Sequence, residues 1–180
     1  MVRTVSLAGT QPILEGKKDI QWKAKEMEEQ RLVTNYIVEI LKRFNISDFQ
    51  IEGPQTISAG NACHLSTKFS FEKSFIQNRE GAFIESFHPT PAVSGLPKEK
   101  ALERILKTEK HNREYYAGFC GTFNMDGKSD LFVNLRCMKI LKDKFALFIG
   151  GGLTAKSLSE KEWEETVLKA QTLLSLIQKR

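Results

Sequence analysis

The sequence predicts an α+β fold with largely antiparallel sheet layers and helices packed on them. Segments rich in β-forming residues alternate with helical segments, in the order strand, helix, strand, helix, hairpin, strand, helix. An Asp126-Gly127 pair lies between two of the β-rich segments, and this dipeptide is typical of the tight turn that joins antiparallel strands. Hairpin-type strands combined with helices indicate an antiparallel sheet covered by helices.

The size and charge of the chain are those of a globular domain. It has 180 residues, 41% of them hydrophobic, which is enough to bury a core. The 27 basic residues are interspersed with 22 acidic ones, and the net charge is +5. Because no run of five or six like charges occurs, we expect no nucleic-acid partner, whereas a modest positive field suits a small anionic substrate.

The cysteines and the hydropathy pattern predict a cytoplasmic protein without a membrane partner. Cys63, Cys120 and Cys137 are odd in number and lack CxxC spacing, so neither a disulfide framework nor a zinc site is expected. Residues 1–10 lack the apolar run of a signal peptide. No stretch approaches the ~18 apolar residues of a membrane-spanning helix.

Three segments have helical patterns. The first covers about residues 22–43, where apolar residues recur at helical spacing, namely Leu32, Val33, Tyr36, Ile37, Ile40 and Leu41. A proline at the first helical position opens the second, which runs from Pro97 to about Lys110. The third runs from about Glu160 to Gln178, and Ser159 with Glu162 matches the capping-box pattern at its start.

The strongest strand patterns are Ala62–Phe71, Tyr115–Phe123, Leu131–Ile140 and Lys144–Ile149. The second and third of these flank the Asp126-Gly127 turn. The fourth ends in a run of three glycines, Gly150 to Gly152. That run precedes a helix, so its N–H groups could hold an anion, or the glycines could simply permit a tight turn.

Three acidic residues are candidates for a metal site. Glu29 shares a helix side with Val33 and Tyr36, and a carboxylate on an apolar side must be paired, protonated or bound to a metal. The alternative is pairing with a nearby lysine. Glu162 and Glu165 project from one side of the last helix together with Lys169, although a capping residue and an exposed i, i+4 pair also explain that spacing. Carboxylate oxygens suit magnesium.

Arginine and histidine residues offer candidates for binding an anionic substrate. Arg136 belongs to the predicted strand Leu131–Ile140, where it could clamp a carboxylate with two hydrogen bonds or extend along the sheet surface. His64 lies in the predicted strand Ala62–Phe71, and a lone histidine is more often structural than catalytic. His88 begins a proline-rich loop that a rigid turn also explains.

Eight segments in chain order together carry a family resemblance. They are Leu7–Thr10, Lys25–Val33, Cys63–Thr67, His88–Gly95, Tyr116–Gly118, Leu135–Cys137, Gly150–Leu153, and Glu162–Thr166 with Lys169. They resemble motifs of the chorismate-binding enzymes, which include isochorismate, salicylate, anthranilate and aminodeoxychorismate synthases. The resemblance covers residues 1–180 and implies a partial chorismate-binding fold, the C-terminal part of the family domain without its N-terminal half.

The loop His88-Pro89-Thr90-Pro91-Ala92 resembles the isochorismate and salicylate type of the family. Members that use ammonia usually carry a different, Gly-Ala-Pro-Lys type of loop. The resemblance therefore implies a magnesium-dependent isochorismate synthase that serves menaquinone or siderophore biosynthesis. Salicylate, anthranilate and aminodeoxychorismate synthases stay open as alternatives.

The resemblance also implies roles for individual residues. Glu29 and Glu165 match the magnesium ligands, and Glu162 lies close to the metal. The substrate-binding matches, which would line the pocket or hold the carboxylates of chorismate, are Gly9, Thr10, His64, Ala92, Arg136, Gly150 and Lys169. Two basic residues, a metal and glycine N–H groups are a suitable complement for a dianion such as chorismate.

The implied reaction adds water at C2 of the chorismate ring and expels the C4 hydroxyl, which requires a general base and a general acid. In the family these are a lysine and a glutamate of the N-terminal half. We expect them outside these 180 residues, so a separate chain could supply them. The alternative is a catalytically incomplete fragment that binds chorismate without converting it.

Overall fold

The computed structural model describes residues 1–13, 20–59, 62–155 and 157–177. The chain divides into two compact units, Met1–Ala92 and Val93–Arg180. Every strand pair in the two units is antiparallel, and helices accompany the sheets, so the predicted α+β class is confirmed. No helix among the described residues is both long enough and apolar enough to span a membrane.

The described residues of the first unit form a three-stranded sheet with a long helix. The sheet has the order β1-β3-β2, and its strands are β1 (Val2–Pro12), β2 (Gln50–Ala59) and β3 (Ala62–Phe71). Helix α1 (Ala24–Arg43) contacts β1 and β3. A 3₁₀ turn (Lys73–Ile76) and helix α2 (Glu80–Ser86) follow the sheet.

The core of this unit forms where α1 packs on the sheet, as the apolar spacing predicts. Ile40 and Leu41 are completely buried, and Phe69 of β3 is 1% exposed. Tyr36, Ile37, Ile46, Phe71, Ile76 and Phe83 complete the cluster. Because the buried positions recur every three to four residues along α1, the first predicted helix is confirmed.

Strand β2 has no clear signal in the sequence because it contains Gly53-Pro54. Its pairing with β3 shifts register between Glu52 and Gln55, on either side of that dipeptide. Gly53 has a φ of +119°, and a Cβ there would lie 2.6 Å from the carbonyl oxygen of Ser66. Glycine is therefore required, because the backbone of β3 passes too close for a side chain.

In its described residues, the second unit has two hairpins and two longer helices. The helices are α4 (Lys98–Thr108) and α5 (Ser159–Ile177), and the short α3 (Pro91–Ser94) spans the boundary between the units. The strands are β4 (Phe119–Met125), β5 (Lys128–Val133), β6 (Cys137–Ile140) and β7 (Phe145–Phe148). The predicted turn at Asp126-Gly127 joins β4 and β5, and both turn residues have positive φ.

The predicted strand Leu131–Ile140 is wrong as a single element. It is divided into β5 and β6, which belong to different sheets. Asn134 interrupts the strand by exchanging backbone hydrogen bonds with Ala117 and Gly118, and Arg136 has a φ of +47°. Arg136 therefore lies in the connection between two hairpins and not on the alternating face of a strand.

The capping-box prediction at the last helix is also corrected. Helix α5 begins with Ser159, and the N–H of Glu162 donates to the carbonyl of Leu158. Ser159 is thus inside the helix, because the first intrahelical acceptor precedes it.

Candidate substrate and metal site residues in the two units

A β-bulge at Gly9 brings three predicted pocket residues of the first unit together. The pairing of β1 with β3 shifts register between Ala8 and Thr10, and Gly9 has a φ of +69°. A Cβ at Gly9 would lie 3.0 Å from the Cβ of Glu26 in α1, so a side chain at this position would collide with the helix. The bulge therefore depends on glycine and fixes the spacing between β1 and α1.

The bulge turns its carbonyl towards the buried ring of His64. Nδ1 of His64 lies 3.2 Å from the Gly9 oxygen and 3.1 Å from the Thr10 hydroxyl. A carbonyl oxygen can only accept, so this contact favours the tautomer with the proton on Nδ1. In a neutral ring with this tautomer, Nε2 is the nitrogen that accepts a hydrogen bond.

Glu29 is half-buried on α1, as its position on the helix predicts. Its side chain is 22% exposed, and one carboxylate oxygen lies 3.8 Å from Nζ of Lys25. The lysine pairing weighed as an alternative is therefore present, at the long end of ion-pair distances.

Next to Glu29, Gln30 is a buried polar residue that the sequence interpretation missed. Its side chain is 2% exposed and connects α1 to β1 and β3. Its amide nitrogen lies 2.9 Å from the hydroxyls of both Ser6 and Thr67, and its oxygen accepts from the N–H of Ala8 at 2.9 Å. One signal could have revealed it, because Gln30 is seven residues before Ile37 and so occupies the apolar stripe of α1.

In the second unit, the three candidate residues of α5 converge on the glycine run. A Cβ at Gly151 would lie 3.8 Å from a carboxylate oxygen of Glu162 and 3.9 Å from one of Glu165. It would also lie 3.9 Å from Nζ of Lys169. Two carboxylates and an ammonium group therefore meet beside backbone that carries no side chain.

The cluster of Glu162, Glu165 and Lys169 is more buried than an ordinary ion pair on a helix surface. Nζ of Lys169 lies 2.6 Å from Glu165 and donates to the Gly150 carbonyl at 3.2 Å. The side chains of Lys169 and Glu165 are 14% and 29% exposed, and Glu162 is 8% exposed. The i, i+4 pair that the spacing predicts is present, but it is largely withdrawn from solvent. Partly desolvated carboxylates attract a cation more strongly than exposed ones.

Tyr116 is a second residue that the sequence interpretation did not place at the site. A Cβ at Gly150 would lie 2.6 Å from the Tyr116 hydroxyl, so that hydroxyl faces the glycine run directly. Its ring stacks on Phe148, with centroids 5.9 Å apart, and the Arg113 guanidinium lies over it at 5.6 Å. Burial raises the pKa of Tyr116, so its hydroxyl stays protonated at neutral pH and can donate a hydrogen bond.

Arg113 is itself fixed by a bidentate pair. Nε and one terminal nitrogen contact the two oxygens of Glu109 at 2.7 and 2.6 Å, and the other terminal nitrogen donates to the Val93 carbonyl. The hydrogen bond from Arg113 lowers the pKa of Glu109. The pair thereby holds the guanidinium over the Tyr116 ring.

Substituting Gly150 with alanine is expected to destabilise the second unit by about 1–3 kcal/mol, because the new methyl group collides with a partly buried tyrosine hydroxyl. Gly152→Ala is the matched control, since a Cβ there meets no atom within 4 Å. Urea unfolding of the two variants measures the difference. Equal midpoints would mean that Tyr116 does not pack against Gly150 in solution.

The structure gives the locations of two further predicted pocket residues but does not test their predicted roles. Ala92 is exposed in α3, and Arg136 is half-buried in the connection between β5 and β6. Their contacts with a substrate stay predictions.

The residues predicted to bind magnesium are all glutamates. Within residues 1–13, 20–59, 62–155 and 157–177, no three His, Cys, Asp or Glu side chains form a metal-binding group. Glu162 and Glu165 nevertheless offer hard oxygen donors side by side at Gly151. This fits magnesium, which commonly uses one or two carboxylates and completes its coordination with waters and substrate oxygens.

Comparisons with known proteins show the family to which the chain belongs. The family model described as chorismate binding enzyme matches residues 1–178. Isochorismate synthase EntC of Escherichia coli K12 is 32% identical over 152 residues, or 84% of this chain and 39% of EntC. Isochorismate synthase MenF of Haemophilus influenzae is 28% identical, over 98% of this chain and 42% of MenF.

A solved structure of an isochorismate synthase has a similar fold. DhbC of Bacillus anthracis, described as a 2,3-dihydroxybenzoate-specific isochorismate synthase, superimposes with a TM-score of 0.76 and 25% identity. The match covers 97% of this chain and 49% of that protein, so the chain spans about two fifths to one half of the relatives it matches. With a family model that covers nearly every residue, the chain belongs to the chorismate-binding enzymes.

Proposed function

We propose that this chain forms the metal-binding and carboxylate-binding part of a magnesium-dependent isochorismate synthase. The observation that carries the proposal is the convergence of Glu162, Glu165 and Lys169 on Gly151. The cluster combines a pair of hard oxygen donors with a cationic donor and a backbone that a ligand can approach closely. These are the groups that a site for a magnesium-bound carboxylate needs.

Chorismate carries two carboxylates, and the second unit offers several groups to hold them. Lys169 is anchored between Glu165 and the Gly150 carbonyl, so its ammonium group is already oriented. Tyr116 directs a protonated hydroxyl at Gly150, and Arg136 supplies the guanidinium that the family resemblance assigns to a carboxylate. When bound, magnesium would neutralise the ring carboxylate, with Glu165, Glu162 and Glu29 as its protein ligands.

The first unit contributes the polar groups proposed for the ring. Gly9, Thr10 and His64 form one hydrogen-bonded cluster around Nδ1 of His64, and the Gly9 carbonyl favours the tautomer with the proton on Nδ1. A neutral imidazole in this tautomer can accept a hydrogen bond from a ring hydroxyl without adding charge. In this role His64 orients the substrate and does not transfer the proton.

The nucleophile proposed is water. The loop His88–Ala92 is of the type that accompanies isochorismate and salicylate formation, which favours water over ammonia. Water adds at C2, the ring double bonds shift, and the C4 hydroxyl leaves as water after protonation. The product is an isomer of chorismate, and its destination would be menaquinone or siderophore biosynthesis.

The general base and general acid are proposed to come from the half of the family domain that has no counterpart in this chain. The relatives are about two to two and a half times as long as their matched segments. A segment homologous to their other half, in the same polypeptide or as a separate chain, would complete the site.

The test uses chorismate, magnesium and ¹⁸O-labelled water. The chain, combined with a polypeptide that supplies the other half, is expected to produce isochorismate bearing one ¹⁸O atom, and only when magnesium is present. An unlabelled or amine-bearing product formed with ammonium salts would identify an amine-using synthase instead. A folded complex that yields no product would contradict the proposal.

The second candidate is a fragment that binds chorismate without converting it. This candidate is favoured because the chain contains the proposed binding groups, whereas the acid and base are expected outside these 180 residues. Isothermal titration of the chain with chorismate and magnesium distinguishes the candidates when combined with the product assay. Binding that persists while the completed assembly yields no product supports the fragment.

A further inference from the structure

The turn that carries Tyr116 has a backbone that its own residues do not favour. Glu114 and Ala117, on either side of Tyr116, have φ values of +49° and +68°. A residue other than glycine holds such a conformation only where surrounding contacts keep it there. The backbone supplies one contact, since the N–H of Tyr116 donates to the carbonyl of Arg113 at 2.8 Å. Side-chain contacts around the turn are needed in addition to fix the direction of the tyrosine ring.

Arg113 provides one of these side-chain contacts and is itself fixed at three points. Its guanidinium lies over the Tyr116 ring, 5.6 Å from the centroid. All three of its side-chain nitrogens contact protein acceptors at 2.6–2.8 Å, two on the Glu109 carboxylate and one on the Val93 carbonyl. The Arg113 side chain is 24% exposed. A guanidinium held in this way is suited to orient the tyrosine rather than to bind a ligand.

A second set of contacts leads from Tyr116 back to the same carboxylate. The Tyr116 ring stacks on Phe148 of β7, with centroids 5.9 Å apart, and the ring of His111 lies 6.1 Å from that of Phe148. Nε2 of His111 is 3.7 Å from Oε2 of Glu109. Glu109 is therefore connected to Tyr116 through Arg113 and also through His111 and Phe148. These contacts join the end of α4 to β7, the strand that leads into the glycine run.

We propose that Arg113 is a positioning residue, which aims the Tyr116 hydroxyl at a substrate carboxylate beside Gly150 and does not contact the substrate itself. The Tyr116 hydroxyl already faces that glycine, where a Cβ would lie 2.6 Å from it. Glu109 acts in the same way, one step further removed, because it holds the guanidinium of Arg113 at two nitrogens. This inference rests on the proposed function, because it explains how one carboxylate-binding group of that site is oriented.

Arg113→Lys tests the proposal, because lysine keeps the charge and loses the two-point contact with Glu109. The enzyme assayed is the chain combined with the polypeptide that supplies the other half. We expect the KM for chorismate to rise about 10-fold or more and kcat to change by less than about 2-fold, because a contact made equally in the ground and transition states acts on KM. Arg104→Lys, at an exposed position of α4, is the matched control and is expected to change neither constant.

A Tyr116→Phe background separates positioning from direct binding. If Arg113 acts through the Tyr116 hydroxyl, Arg113→Lys raises KM no further in a chain that already lacks that hydroxyl. Equal increases in both backgrounds would mean that Arg113 binds the substrate itself, and would overturn the proposal. An unchanged KM in both backgrounds would overturn it as well. Glu109→Gln is a milder change that repeats the cycle with Arg113 intact.

A measurement on the chain alone distinguishes failure of this inference from failure of the proposed function. Nuclear Overhauser contacts between the rings of Tyr116 and Phe148 report the position of the tyrosine without any substrate. We expect Arg113→Lys to abolish these contacts and Arg104→Lys to preserve them, with circular dichroism verifying that both variants fold. An enzyme that forms no isochorismate would contradict the proposed function, and loss of the ring contacts would still support the positioning role. Ring contacts that persist in Arg113→Lys would overturn that role.

Discussion

Replacing Glu165 with glutamine is expected to weaken magnesium binding by this chain by about 10- to 100-fold or more, since even residues that only support a ligand have effects of that size. The substitution keeps the shape of the side chain and removes its charge. Of the two carboxylates described beside Gly151, Glu162 would then remain, and Nζ of Lys169 lies at the same position, 3.9 Å from a Cβ at Gly151. A single, partly neutralised carboxylate is a weak site for a divalent cation.

Glu164→Gln provides the matched control on the same helix. Glu164 is exposed and is adjacent to Glu165 in sequence, so the net charge changes equally without altering the cluster. Isothermal titration with magnesium chloride measures the affinity of both variants, and circular dichroism verifies that they are folded. Equal affinities would show that the metal does not use the α5 cluster, whatever the activity of the completed enzyme.

The sequence is informative about this site because the relevant side chains lie on one regular helix. The spacing of Glu162, Glu165 and Lys169 predicts that they share a side of α5, and the structure brings all three to Gly151. Helical periodicity does not predict which loop they meet. From spacing alone, an ordinary i, i+4 pair on the helix surface is therefore the favoured interpretation, and the meeting with Gly150 and Gly151 is visible only in the structure.

Residues whose positions depend on irregular backbone were harder to predict. The alternating neighbours of Arg136 predict a strand, but Asn134 ends that strand by bonding to Ala117 and Gly118. The sequence does not predict strand β2 because Gly53-Pro54 interrupts it. In both cases the deciding contacts come from residues distant in sequence, which a local pattern does not contain.

Tyr116 shows a further limit of local patterns. Its place in the motif Tyr116–Gly118 contributes to the family resemblance, but nothing about its neighbours predicts that its hydroxyl meets Gly150, 34 residues later. Arg113, which is fixed by Glu109, helps to set that position. The Tyr116 hydroxyl can lie this close to Gly150 only because glycine has no side chain. A glycine in the sequence does not indicate which group will pack against it.

Gln30→Leu is expected to destabilise the first unit by about 2–4 kcal/mol, because each buried group left without a partner costs about 1–3 kcal/mol. The Gln30 oxygen accepts from the Ala8 N–H, directly before the Gly9 bulge, and its nitrogen lies 2.9 Å from Ser6 and Thr67 hydroxyls. Leucine has nearly the same volume, so the loss reflects hydrogen bonds and not a cavity. Urea unfolding at constant pH measures the change.

Asn35→Leu is the control, since it replaces an exposed carboxamide by leucine on the same helix and is expected to be nearly neutral. Gln30→Glu adds a second test. A buried glutamate has a raised pKa, so its protonated form, which can donate, is favoured as pH falls. The destabilisation relative to the parent chain should therefore be smaller at pH 5 than at pH 7, and a pH-independent difference would contradict this. Because the same carboxamide adjoins Glu29 and fixes the bulge that positions His64, its loss should also displace the ligand groups of the first unit.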